Sequence, residues 1–187
     1  MIYKEGARSV SGRYRTDSKD VEVRLDIDET VKRVVQTTRR VPYSLREPVE
    51  NKIGELIRDD VIEKVEAETP WLSPIHVVRQ ADKILMVVDM TVANKAIKRS
   101  RRELPTVEGM HCELSEAKYF KQLDMNSAYH QITLAPESRY ITAFTTHVGT
   151  FRYNTFFGCN AASEVFDKKL SEKLAGLKGV FNIAMTC

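Results

Sequence analysis

The chain has 187 residues, 42% hydrophobic and 29% charged, with 29 Lys and Arg against 26 Asp and Glu for a formal net charge of +3. That size suits one domain or part of a larger one, and that excess charge is too small to point to nucleic acid by itself. No window approaches the roughly 18 continuous apolar residues of a membrane span, and Cys112, Cys159 and Cys187 lie too far apart for a zinc knuckle or a disulfide framework.

Residues 1 to about 20 are polar, with Gly6, Ser9, Ser11 and Gly12, and read as a flexible lead-in. They contain no apolar run of signal-peptide type. Together with the cysteine usage this sets an intracellular expectation, cytoplasmic or nuclear. Val21–Leu25 alternates apolar and polar residues, as a short half-buried strand does. A basic connector, 32–41, follows and contains Arg39–Arg40.

The next segment predicts a helix over about Leu45–Asp59. Ser44 followed by Glu47 has the capping-box pattern. Val49, Ile53, Leu56 and Ile57 share a helical face, and Pro48 comes early enough to be tolerated. Thr69–Pro70–Trp71 breaks the chain. Pro74–Val78 and Ile84–Val88 are apolar runs of strand length around Gln80–Ala81–Asp82, and they predict a hairpin. Lys98, Arg99, Arg101 and Arg102 form a basic cluster. Strands are expected at Lys118–Leu123, Gln131–Leu134 and Tyr140–Thr146. A helix is expected at Ala161–Leu174, with Val165, Phe166, Leu170 and Leu174 facing inward. The irregular alternation suits an α+β architecture better than a doubly wound sheet.

Several short segments fall in one order: Arg39–Tyr43, Thr69–Ile75, Val87–Met90, Ala93–Ile97, Lys121–Ile132, Phe157–Gly158 and Asn160–Phe166. As an ordered set they resemble the reverse transcriptase of gypsy-type LTR retrotransposons, over about Val21 to Ile183. The resemblance implies a right-hand polymerase: 1–38 a flexible lead-in and connector, 39–118 fingers, and 119–187 a partial palm that stops before the Asp-Asp hairpin. It also implies RNA-directed DNA polymerase ancestry within a retroelement Pol polyprotein. The partners would be an RNA or DNA template-primer and dNTP, with no membrane partner.

Nucleotidyl transfer through a highly charged, in-line transition state needs positioning and charge neutralisation more than covalent chemistry. Two Mg²⁺ ions do this in such enzymes, held by hard carboxylates. By resemblance Asp124 is the first carboxylate, both catalytic and a metal ligand. Tyr129 is the aromatic gate beneath the incoming sugar, which excludes a 2′-hydroxyl. Phe157 and Lys83 are nucleotide contacts. Trp71, His76, Val87 and Gly158 are candidate template contacts.

The sequence departs from the pattern at four places. No adjacent acid pair follows Asp124; the expected strand reads Ile183–Ala184–Met185–Thr186–Cys187. Leu85 stands where a triphosphate-gripping arginine is expected, and a leucine makes no charge-assisted fork to phosphate. The hairpin turn lacks the usual basic residue and glycine. Thr91 replaces the arginine after Val88–Asp89–Met90. Two expectations follow: the 187 residues alone do not catalyse, and an unpaired edge near Val180–Ile183 makes them aggregation-prone. A non-catalytic nucleic-acid-binding or interaction remnant, carried by Arg39, Arg40 and the 98–102 cluster, is the alternative.

Overall fold

In the computed structural model, residues 22–80, 83–99, 119, 125, 128–180 and 182 are described. The strand expected at Lys118–Leu123, the segment 183–187 and the lead-in before Glu22 lie outside them.

Helix α1 spans Tyr43–Arg58 and buries Val49 and Ile53. It begins two residues earlier than its sequence suggests, with Pro42 at the N-cap and no side-chain cap. Ser44 is therefore inside the first turn, and the capping box is not formed. Pro48 lies within the helix and leaves the Ser44 carbonyl without its usual i+4 donor. Ile57 is 45% exposed, so the apolar face is narrower than the pattern implies. Asp60 ends the turn with φ 54°, in the left-handed region that Asp tolerates better than most residues. The side-chain amide of Asn154 donates to Asp60 Oδ1 at 3.1 Å and holds that turn.

Five strands form a mixed sheet. They are β2 (Ile62–Val65), β3 (Ser73–Gln80), β4 (Lys83–Val88), β6 (Phe144–Thr146) and β7 (Gly149–Tyr153), in the order β2-β7-β6-β3-β4. β3 pairs with β6 in parallel at Ser73↔Phe144 and Pro74↔Thr145; the other pairings are antiparallel. The expected hairpin is present, with Gln80 opposite Lys83. A boundary at 118/119 cuts through this sheet, because β6 and β7 return to pair with β3 and β2.

Ahead of the helix, the described chain begins at Glu22, and a two-residue strand lies within the Val21–Leu25 segment expected to be one. β1 (Glu22–Val23) lies parallel to β5 (Thr133–Leu134). Ile27 bridges Ile97, and Val35 bridges Leu72. The Leu25 amide donates to Ser138 Oγ at 3.0 Å in a buried contact.

Two further expectations change. Gln131–Leu134 is strand only at Thr133–Leu134, after a 3₁₀ turn at Ala128–Gln131. Of Tyr140–Thr146 only Phe144–Thr146 is strand, because a 3₁₀ helix that Pro136 opens runs Pro136–Thr142. Pro at the first helical position costs no hydrogen bond, and its fixed φ suits helix entry. Helix α2 spans Ala162–Leu174. Val165 and Phe166 pack partly against the core, but the buried positions are Ala162, Glu164 and Asp167.

The core gathers Trp71, Tyr153, Phe144, Phe156, Ile62, Leu134, Ile141 and Val49. Its rings form a row. Phe151 lies 6.0 Å from Phe144, Phe144 lies 5.4 Å from Tyr153, and Tyr153 lies 5.5 Å from Phe157. Burial of each ring contributes roughly 2–3 kcal/mol of apolar transfer. Burial also pushes the Tyr153 hydroxyl far up from its ordinary value.

Candidate nucleic-acid interface

The aromatic row ends where three turns meet. His130, from the 128–131 turn, stacks on Phe157 with ring centroids 4.7 Å apart and an angle of 30°. Burial is the main cause that lowers the His130 pKa; the Lys52 charge adds to it and Asp59 opposes it. Its neighbour Tyr129 is half-buried and meets Phe166 of α2 edge-on at 5.6 Å.

Gly158 follows at φ +79°, and a Cβ there would come within 2.9 Å of Met90 Sδ. Both the backbone angle and the close approach favour glycine. Asn160 clamps the third turn. Its amide donates to Asn94 Oδ1 at 3.0 Å, and its side-chain nitrogen donates to the Asn94 carbonyl at 3.1 Å. The segments carrying Tyr129, Phe157–Gly158 and Met90–Asn94 are thus brought together. Cys159 between them is buried, and burial pushes its thiol up to about 12, so it is an inert core group.

The hairpin presents a second surface. Because opposite residues of an antiparallel pair share a face, His76 with Val87 and Val78 with Leu85 point the same way. Val78, Leu85 and Val87 are 53%, 50% and 43% exposed. Leu85 therefore occupies an outward position, where an arginine would have met solvent or a ligand. Lys83 opens β4 opposite Gln80.

At the hairpin root Asp89 is a hub. It accepts from the Thr91 hydroxyl at 2.7 Å and from Arg39 at 3.0 Å, with His76 Nε2 at 3.5 Å. Arg39 also reaches His76 Nδ1 at 2.9 Å. The Thr91 hydroxyl bond is the main reason that the Asp89 pKa is lowered; burial opposes it, and Arg39 and His76 add to it. This hub escaped the sequence reading, although an acid with Thr two residues on is a recognised turn pattern.

Trp71 is placed differently from a template contact. It is 2% exposed, inside the core, and its indole N–H has no partner among the described residues. Asp124 lies outside the described residues. Among those described, no three His, Cys, Asp or Glu side chains are grouped so as to hold a metal ion. The Mg²⁺ that the resemblance implies has no fitting donor set among those described residues.

The basic residues are partly spent within the chain. Arg39 is held by Asp89, Lys98 lies 3.7 Å from Asp26, and Arg99 is paired with the nearly buried Glu164 of α2. Burial raises the Glu164 pKa, but the bonds from Arg99 and Ser163 outweigh it and leave it lowered. No residue-period pattern foretells such a buried acid on α2. No helix among the described residues is long and apolar enough to cross a membrane.

No family model matches the sequence. The chain is 29% identical over 165 residues to the retrovirus-related Pol polyprotein from transposon 412 of Drosophila melanogaster, covering 84% of this chain and 13% of that polyprotein. It is also 29% identical over 134 residues to the corresponding polyprotein from transposon gypsy of the same organism, covering 67% of this chain and 13% of the relative. Among solved structures, the foamy viral protease-reverse transcriptase in complex with an RNA/DNA hybrid superposes with a TM-score of 0.71 at 19% identity, over 84% of this chain and 21% of that one. The same viral protein in complex with double-stranded DNA gives a TM-score of 0.67 at 16% identity, over 87% and 32% of the two chains. The chain thus spans a small fraction of the proteins it matches. By sequence the chain is related to the retrovirus-related Pol polyproteins of retroelements, and by fold it is part of a reverse transcriptase-like architecture.

Proposed function

We propose that this chain is the fingers and the first part of the palm of a gypsy-type reverse transcriptase, and that its own activity is to hold a template-primer. The supporting observation is the meeting of three turns, through His130 on Phe157, Gly158 on Met90 and Asn160 on Asn94. Tyr129 is the gate beneath an incoming dNTP, and Phe157 and Lys83 are its further contacts. Gly158 and the exposed hairpin face at His76 and Val87 take the template strand. Residues 39–118 form the fingers, with β6 and β7 returning into their sheet, and the remainder from 119 begins the palm.

Asp124 is the first metal carboxylate in this reading. No adjacent acid pair follows it within the 187 residues, so templated synthesis belongs to a polypeptide that supplies further carboxylates. With Leu85 in place of an arginine, the hairpin gives the triphosphate no fork.

Two assays test this. A primed RNA template with dNTPs and Mg²⁺ should give no extension by the 187-residue chain alone; templated synthesis above background overturns that part. The same template-primer should bind at low salt and dissociate steeply as salt rises. Absence of binding at low salt discards the nucleic-acid reading.

A further inference from the structure

Just before α1 the connector exposes an aromatic ring between cations. Val41 is buried and pins the chain, whereas Arg40, Pro42 and Tyr43 face solvent. Arg39, one residue earlier, is clasped to Asp89 and His76 at the hairpin root, which fixes where the segment leaves the core. Tyr43 is 87% exposed, far more than an aromatic side chain needs to be. Arg46, one turn on, lies over one face of the Tyr43 ring, 5.6 Å from its centroid. Among the described residues neither Arg40 nor Arg46 has an ion pair, and the first turn of α1 contains no acid.

One face of the ring is covered by a guanidinium and the other is open. A flat, apolar and electron-poor group suits the open face, and two uncompensated cations call for an anionic ligand. A nucleobase attached to a phosphate backbone has both properties, whereas an apolar peptide would leave the two guanidiniums without partners. We propose that Tyr43, Arg46 and Arg40 form a stacking site for an unpaired base of single-stranded nucleic acid, separate from the turns around Phe157 and Gly158. The base lies on the open face of Tyr43, with Arg46 on the opposite face reinforcing the stack. Arg40 and Arg46 meet the adjoining phosphates. Duplex is a poorer ligand, because its bases are already stacked on one another.

The inference rests on the nucleic-acid reading above, and one experiment separates the two. Fluorescence anisotropy of a labelled single-stranded oligonucleotide, at low salt, is measured with the whole chain, Tyr43→Ala, Tyr43→Phe and Arg46→Ala. An oligonucleotide of equal length with abasic sites serves as the second probe. Tyr43→Ala should weaken binding about tenfold, the order of one lost base–ring stack. Tyr43→Phe should stay within about twofold of wild type, since it keeps the ring. Arg46→Ala should reduce the slope of log K against log salt by about 0.7, one phosphate contact on a single strand. Wild type should bind the abasic strand as weakly as Tyr43→Ala binds the normal one.

If wild type binds and Tyr43→Ala binds equally well, the site is refuted while the nucleic-acid reading stands, and the ring belongs to a protein contact. If wild type does not bind even at low salt, both readings fail together. Should Tyr43→Ala not fold, Tyr43→Leu keeps apolar bulk without a ring and carries the same expectation.

Discussion

Met90 fills with its sulfur the space that a side chain on Gly158 would need, 2.9 Å from the Cβ position, and this contact fastens the loop after β4 to the turn after β7. Gly158→Ala should lower stability by about 1–2 kcal/mol, through the positive φ and the crowded sulfur together. Met90→Ala should cost about 2–4 kcal/mol by opening a cavity. In the double variant the steric part should vanish and the backbone part remain. Urea denaturation of the three variants checks this. An additive double variant would show that the two positions do not press on each other.

The Asp89 hub makes a pH prediction. A carboxyl whose folded pKa is lowered contributes stability above its unfolded value, and loses that contribution as pH falls through the folded pKa. Thr91→Val removes the hydroxyl that is the largest cause of the lowering. It should cost about 1 kcal/mol at neutral pH and nothing once Asp89 is protonated in both forms. A carboxyl NMR titration should show the Asp89 pKa moving up in the variant. An unmoved pKa would assign the lowering to Arg39 instead.

The Arg99–Glu164 pair is asymmetric, with side-chain exposures of 51% and 10%. Arg99→Ala strands a nearly buried carboxylate and should cost about 2–3 kcal/mol at neutral pH, less than a fully buried pair because the arginine is half exposed. Burial then acts with less opposition, so the Glu164 pKa should rise. The deficit should therefore shrink as pH is lowered. Glu164→Gln, whose oxygen still accepts from Arg99 while its amide nitrogen donates to Ser163 Oγ, should cost less. Thermal melts of both variants across an acid series decide the matter.

Ser138 Oγ accepts the buried Leu25 amide across 113 positions of sequence. Ser138→Ala should cost about 1–3 kcal/mol, the cost of leaving a buried donor unpaired. Hydrogen exchange should speed up at Leu25 and at Ala135, whose amide donates to the Val23 carbonyl. Unchanged protection at both amides would show that the connector is held by its apolar contacts alone.

The long periodic elements were legible in the sequence. α1, α2 and the β3–β4 hairpin each carry enough apolar residues at one spacing to declare themselves. β2 and β7 were not, because four or five residues are too few to separate a strand from a loop. Tyr140–Thr142 looked strand-like through Ile141 and its Tyr and Thr neighbours, but the Pro136 start and the burial of Ile141 favoured a 3₁₀ turn. At the candidate site Tyr129, Phe157, Gly158, His76 and Val87 could be singled out from short motifs. What held them could not, since Asn94–Asn160 and Arg39–Asp89 join residues 66 and 50 positions apart.

The parallel pairing of β1 with β5 has a kinetic corollary. Glu22 meets Thr133 and Val23 meets Leu134, so this two-residue ladder closes a loop of more than a hundred residues, for little enthalpy. Closing so long a loop is entropically costly, and contacts of such sequence separation form late. The connector should thus seat last, after the five-stranded sheet, and come away first under a pulling force or a protease. A nick near residue 30 would then loosen β5 and the adjoining 128–131 turn, which carries Tyr129 and His130, with the sheet itself still standing.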